Sequence, residues 1–260
     1  MSILEQICKA TQARIQSQKD SISLQDMRLK AKELGTCNEF IFENTLRDSK
    51  DLSFICEVKR ASPSKGIITQ DFDPLQIALD YENAGAKCIS CLTEPMYFLG
   101  SDKYLQDIST KVHIPLLRKD FVIDSYMIYQ AKVLGAHCVL LICAILESSQ
   151  LQEYLAIAKE LGLSVLVEVH NEKELQLALD SKASLIGANN RDLRTFEVDI
   201  STSLRLKKLV PDSVVFVAES GINNADDIRL LKSHGINAVL IGEGLMRCQD
   251  KKAALEALKA

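Results

Sequence analysis

The chain predicts a (β/α)8 barrel with a helical N-terminal extension, and two observations carry that expectation. From residue 53 onward, short apolar runs rich in β-branched residues alternate with amphipathic stretches long enough for helices. Continuous apolar strands of this kind belong to a parallel sheet buried on both faces. A second signal repeats along the chain. Gly85-Ala86-Lys87-Cys88-Ile89 echoes Gly135-Ala136-His137-Cys138-Val139, and Gly162-Leu163-Ser164-Val165 and Gly235-Ile236-Asn237-Ala238-Val239 share the layout. Each glycine would end a helix as its C′ residue just before a strand begins.

The expected strands are 54–59, 88–92, 115–119, 138–142, 165–169, 185–188, 214–219 and 238–241, with helices between them at 75–84, 125–134, 147–161 and 225–233 among others. Eight strands at roughly 25 residues per unit match a closed barrel. An open doubly wound sheet would want a Gly-rich phosphate fingerprint after its first strand, and KRASPSKG stands there instead. Residues 1–48 read as the helical extension and 49–260 as the barrel, together one domain. In the extension, Ile3, Leu4 and Ile7 fit one helical stripe, and Leu24, Met27, Leu29, Ala31 and Leu34 a second.

With 260 residues, 47% of them hydrophobic and 25% charged, the chain has the composition of a soluble globular protein. Its net charge of −4, with no basic block, does not favour nucleic acid. Polar residues interrupt Ser2 to Ala13 and no apolar run nears the roughly 20 residues that span a bilayer, so neither a signal peptide nor a membrane is expected. Cys56, Cys88, Cys91 and Cys138 lie in apolar runs as small core residues, and the CxxC of Cys88 and Cys91 has no second pair. Reduced thiols and a cytoplasmic location are the expectation.

In a barrel the C-terminal strand ends converge on one mouth. Glu57 and Lys59 share a face of the first strand, because side chains two apart point the same way. The loop after them holds Ser62, Ser64, Lys65 and Gly66. Lys119 closes the third strand, on the face opposite to Arg118. Glu168 and His170 close the fifth, Asn189 and Arg191 follow the sixth, Glu219-Ser220-Gly221 the seventh and Gly242-Glu243-Gly244 the eighth. Charges converging in an enclosed site have the perturbed pKa values that acid–base chemistry needs. Small residues after the last two strands let backbone N–H groups approach a phosphate. Arg191 could grip a planar carboxylate. One histidine near the mouth makes no metal site, and neither HxH nor HExxH occurs, so no metal is expected.

These segments resemble the indole-3-glycerol phosphate synthase family. FICEVKRASPSKG, CLTEPMYFLGS, IPLLRKDFVIDSYMIYQAKVLGAHCVLLI, VLVEVH, IGANNRDLRTFEVD, VAESGI and IGEGLMR match it in order, and ILEQICKATQARIQSQK resembles its helical extension. The resemblance implies ring closure of 1-(2-carboxyphenylamino)-1-deoxyribulose 5-phosphate to indole-3-glycerol phosphate, CO2 and water, without a cofactor. It implies Lys119 as general acid and Glu168 as general base, with Glu57 and Lys59 orienting the network. Ser62, Phe121, Asn189, Arg191 and Glu219 would contact substrate, and Ser220, Gly221, Gly242 and Glu243 would hold its phosphate. Gly244 departs from the family's frequent serine. A monomer or weak homodimer acting on a small phosphorylated molecule is expected. Two other readings remain open at this stage: a Schiff-base aldolase using Lys119 or Lys59, and a non-catalytic phosphate-sugar binding barrel.

Overall fold

The computed structural model describes residues 2–36, 39–192 and 195–259. The extension comprises α1 (Ile3–Ser21), α2 (Leu24–Glu33) and α3 (Ile41–Arg47). The barrel begins with β1 (Ser53–Val58), followed by a short hairpin, β2 (Ala61–Ser62) and β3 (Gly66–Ile67), and by α4 (Pro74–Asn83). Strand and helix then alternate through β4 (Cys88–Leu92), α5 (Asp102–Ser109), β5 (Leu116–Lys119), α6 (Tyr126–Val133), β6 (Cys138–Ile142), α7 (Ser148–Glu160), β7 (Ser164–Val169) and α8 (Glu172–Asp180). The chain closes with β8 (Leu185–Asn189), α9 (Ser201–Lys207), β9 (Val215–Glu219), α10 (Ala225–Ser233), β10 (Ala238–Ile241), α11 (Glu243–Arg247) and α12 (Lys251–Lys259). The barrel order is β1-β10-β9-β8-β7-β6-β5-β4, every pair parallel, with β4 returning to β1. The expected (β/α)8 barrel is therefore the observed fold.

The glycine repeat acts as expected. Gly85 and Gly135 take φ of 83° and 84° after α4 and α6. The next residue then bonds back across the helix end, Ala86 N–H to Tyr81 and Ala136 N–H to Ala131. Gly162 and Gly235 end α7 and α10 in the same way.

Two apolar layers follow from strand alternation. Ile55, Leu117, Leu140, Leu166, Val217 and Leu240 fill the barrel interior. Phe54, Cys56, Leu116, Val139, Val167, Ile186 and Phe216 pack outward against the helices. The same alternation puts Cys88 in the inner layer and Cys91 in the outer one, so the CxxC is no pair. Cys56, Cys88, Cys91 and Cys138 are free and buried as expected, and Cys37 lies outside the described residues.

The extension closes both ends of the barrel. At the N-terminal end of the strands, Phe42 and Leu46 of α3 join the inner layer. Glu43 there receives the Ser184 hydroxyl at 2.8 Å, and its N–H donates to Ser164 Oγ at 3.1 Å. This third helix was not foreseen: seven residues are too few to show a periodicity. Helix α1, started by a Ser2–Glu5 capping box, brings Ile7 to the opposite end.

One buried network fastens α1 to β5. Arg14 donates to both carboxylate oxygens of Asp120 at 2.9 Å and to Thr93 O at 3.3 Å. Arg118, fully buried, donates to Thr93 Oγ1, Met127 O, Asp102 Oδ1 and Gln130 Oε1 at 2.8–3.1 Å. A buried guanidinium is tolerated only when so paired. Removing it leaves Asp102 and Asp120 short of a partner. Arg118→Met is therefore expected to lower the unfolding free energy in urea by about 3–5 kcal/mol. A loss below about 1 kcal/mol, the ceiling for an exposed pair, would show that the network contributes little.

Candidate active site

Inward positions alternate along each strand, and at five C-terminal strand ends the last of them is polar. These are Glu57 on β1, Lys119 on β5, Glu168 on β7, Asn189 on β8 and Glu219 on β9. They surround a cavity of about 570 Å³ at the barrel mouth. Every residue singled out above as catalytic, substrate-binding or phosphate-binding lines this one cavity.

The Lys119 ammonium stands between two carboxylates, 3.4 Å from Glu168 Oε2 and 3.5 Å from Glu219 Oε2. Burial would lower its pKa, but Glu168, Glu219 and Glu57 outweigh burial and hold the lysine protonated well above its usual range. The two carboxylates are not equivalent. Burial pushes both up. At Glu168 that push is overcome by Lys119, by His170 Nε2 at 3.3 Å and by Asn189 Nδ2 donating at 3.3 Å, so it stays ionised. At Glu219 only Lys119 and the more distant His170 oppose it, while Glu168 and Glu57 add to it, and its pKa rises to about 8. Its Oε1 is buried without a hydrogen-bond partner. Glu219 thus favours its protonated form and Glu168 its ionised form, two environments separating two carboxyls. Gly187 makes the room: a Cβ there would sit 2.2 Å from Glu219 Oε1.

Glu57 meets Lys59 at 2.7 Å and receives the Ser90 hydroxyl at 3.3 Å. Burial raises its pKa, and Lys59 with Lys119 more than reverses this. The shared face read from the spacing of Glu57 and Lys59 is thus an ion pair.

On one side the cavity is apolar. Phe121 packs on Phe98 with ring centroids 5.9 Å apart, and Leu140, Ile142 and the α1 residues Ile3, Leu4 and Ile7 complete the wall. Phe98 was not foreseen. It is set by Glu94, a buried carboxylate that accepts from the backbone N–H groups of Met96, Tyr97 and Phe98 at 2.7–3.0 Å. The helical stripe of Ile3, Leu4 and Ile7 was legible, but its target was not.

The other side is polar. Ser220 and Gly221 take left-handed backbone in succession, φ 65° and 75°; for serine this is a strained conformation of the kind found at functional sites. Gly242 precedes α11, and the Glu243 carboxylate is held by Arg247 at 3.2 Å and Lys65 at 3.7 Å. Arg247 lines the cavity too and escaped the sequence reading. Arg191 donates to Phe196 O at 3.2 Å, and its N–H bonds Asn189 Oδ1 at 3.1 Å, so its loop folds onto the strand end. Leu193 and Arg194 of that segment lie outside the described residues. The expected small-residue loop after β1 is a hairpin of β2 and β3. Gly66, at φ 63°, allows a tight hairpin that carries Ser62 to the rim.

His137 is half-buried, its Nδ1 accepting from Leu116 N–H at 3.2 Å. Among the described residues no group of three or more His, Cys, Asp or Glu side chains is arranged to hold a metal ion, and no helix is long and apolar enough to cross a membrane.

The two glycines after β10 differ. A Cβ on Gly242 would lie 2.5 Å from Glu57 Oε2 and 2.8 Å from Lys59 Nζ, whereas one on Gly244 meets nothing within 4 Å. Gly242→Ala is expected to cost about 1–3 kcal/mol in thermal unfolding through overpacking. Gly244→Ser should stay within about 0.5 kcal/mol of the parent. Equal effects would contradict this packing.

The model of the family described as "Indole-3-glycerol phosphate synthase" matches residues 4–258. The indole-3-glycerol phosphate synthase of Ruminiclostridium cellulolyticum is 51% identical over 257 residues, covering 99% of this chain and 98% of its own. That of Lachnoclostridium phytofermentans is 48% identical over 269 residues, covering 99% of each. Among solved structures, 3-hexulose-6-phosphate synthase from Salmonella typhimurium shares the fold at TM-score 0.66 and 12% identity, over 80% of this chain and 96% of that one. The agreement of motif order, strand-end residues and whole-length identity leaves one assignment: the chain belongs to the indole-3-glycerol phosphate synthase family.

Proposed function

We propose that this member of a carboxy-lyase family converts 1-(2-carboxyphenylamino)-1-deoxyribulose 5-phosphate to indole-3-glycerol phosphate, CO2 and water, with Lys119 as general acid and Glu168 as general base. The observation that carries the reading is the Lys119 ammonium held between Glu168 and Glu219 inside a cavity with one aromatic wall and one polar wall. The substrate has the same division, an aminobenzoate ring at one end and a phosphate at the other. Phe121 and Phe98 suit the ring, and Arg191 suits its carboxylate. Ser220, Gly221, Gly242 and the backbone of Glu243 suit the phosphate, with Arg247 beside them. The Glu243 side chain is engaged by cations and repels an anion, so only its N–H serves.

The ring carbon bearing the carboxylate attacks the ketose carbonyl carbon. Lys119 gives its proton to the carbonyl oxygen as that bond forms. The C–CO2 bond then breaks and returns its electrons to the ring. The new hydroxyl then takes a second proton, from Glu219, and leaves as water, while Glu168 removes a proton from the carbon between the carbinol carbon and the ring nitrogen. Atoms and electrons balance with no oxidant, reductant or cofactor. A lysine so strongly protonated is a weak acid toward water. Its proton acceptor here is a developing alkoxide, which is more basic than the amine. Glu219, the carboxyl whose protonated form burial favours, suits that second donation.

A Schiff-base aldolase would need a neutral lysine, and Lys59 and Lys119 are both engaged by carboxylates. Borohydride added with substrate is expected to trap no adduct. The family's place in tryptophan biosynthesis suits a cytoplasmic enzyme acting alone on a small phosphorylated substrate.

General acid catalysis contributes about 10²–10⁴-fold, so Lys119→Met is expected to lower kcat by that factor with little change in substrate affinity. Arg191→Ala should mainly raise KM. Near-normal kcat in Lys119→Met would overturn the acid assignment. A lower kcat at unchanged KM in Arg191→Ala would move Arg191 into the chemistry.

A further inference from the structure

His170 lies just beyond β7, and the chemistry above does not use it. Its Nε2 stands 3.3 Å from Glu168 Oε1, at ion-pair distance but off the line of a hydrogen bond. Its Nδ1 is 2.9 Å from Glu174 Oε2 on α8, the same oxygen that accepts the His170 backbone N–H at 2.9 Å. The other Glu174 oxygen accepts from Asn171 Nδ2 at 2.8 Å. A carboxylate anchored at three points thus fixes the ring, and the ring fixes Glu168. The imidazole has carboxylates on two sides, and two flanking negative charges favour the doubly protonated ring.

We propose that His170, oriented by Glu174, is a positioning residue that holds Glu168 as an ionised base independently of Lys119. The role rests on Glu168 being the base. Glu168 has two cations beside it, and one of them is consumed. Once Lys119 has given its proton to the substrate, a Glu168 paired with that lysine alone would lose its counter-ion inside the barrel. Burial would then favour its protonation before the dehydration step. His170 stays charged through that interval. It also shares the Glu168 charge, which loosens the carboxylate's hold on the Lys119 proton.

The surroundings agree with a charged ring. Glu168 on β7 and Glu174 on α8 face it, with Cys143 after β6, Lys119 on β5 and Glu219 on β9 farther off. Burial would lower the imidazole pKa, and the contacts with Glu168 and Glu174 outweigh burial and raise it to about 10.

The test uses kcat at saturating substrate as a function of pH. Removing a cation from Glu168 raises its pKa, so in His170→Gln the acid limb should move to higher pH by about 1 unit or more. Glu174→Gln should move it the same way and less. A merely structural role would lower kcat at every pH and leave the limb in place; that result overturns the proposal. Nitrogen NMR of histidine-labelled parent protein gives an activity-independent readout. His170 should keep both ring protons until about pH 10, and their loss near the ordinary histidine value would overturn it too. Glu168→Gln separates the two levels. If that variant turns over normally, Glu168 is not the base and the role of His170 falls with it. If it is inactive while the His170→Gln profile is unmoved, the base stands and the positioning role alone fails.

Discussion

The mouth of this barrel depends on one buried ammonium serving more than one carboxylate. Lys119 lies within 3.5 Å of both Glu168 and Glu219 and also acts on Glu57. With Lys59 on Glu57 and His170 on Glu168, Lys119 is shared, and burial favours the protonated form of the least compensated carboxyl. The cations are therefore distributed unevenly: Lys59 goes to Glu57, His170 and half of Lys119 to Glu168, and Glu219 keeps a proton. That inequality sets a carboxyl that favours its proton beside one that favours its charge, which suits the proposed ring closure and dehydration.

The same strand end holds the scaffold. Arg118, Lys119 and Asp120 alternate faces: Arg118 and Asp120 belong to the network that fastens α1, and Lys119 belongs to the site. The extension is consequently part of the site, since Ile3, Leu4 and Ile7 ride on the helix that Arg14 pins to Asp120. A disturbance of the Arg14–Asp120 contact would reach the apolar wall and the strand end that carries Lys119 together, through backbone of one residue's length.

Strand and helix positions were legible because alternation and glycine C-caps are local signals. Leu185–Asn189 and Ala238–Ile241 fall where short apolar runs end at polar residues. Lys119, Glu168 and Glu219 were legible for the same reason: a charge closing an apolar strand must point into a barrel mouth or be buried without a partner. What the sequence concealed depends on distant contacts. Nothing local shows that Phe42 would plug the barrel floor, that Gly187 clears space for a carboxyl from β9, or that Glu94 would draw Phe98 into the wall. His170 stood in view as a histidine near the mouth. Its pairing with Glu174 is readable only as an i,i+4 spacing whose meaning depends on where Glu168 points.

The proton on Glu219 is the most direct point of test for this distribution of charge. Infrared difference spectra between pH 6 and pH 9 would show the carbonyl stretch of a buried protonated carboxyl, which titrates near pH 8 in the parent and is absent in Glu219→Gln. Such a band, titrating at lower pH in Glu57→Gln because that carboxylate's charge is gone, is the predicted result. If instead the band is missing from the parent, or persists in Glu219→Gln, the proton sits elsewhere and the division of the two carboxyls into acid and base fails.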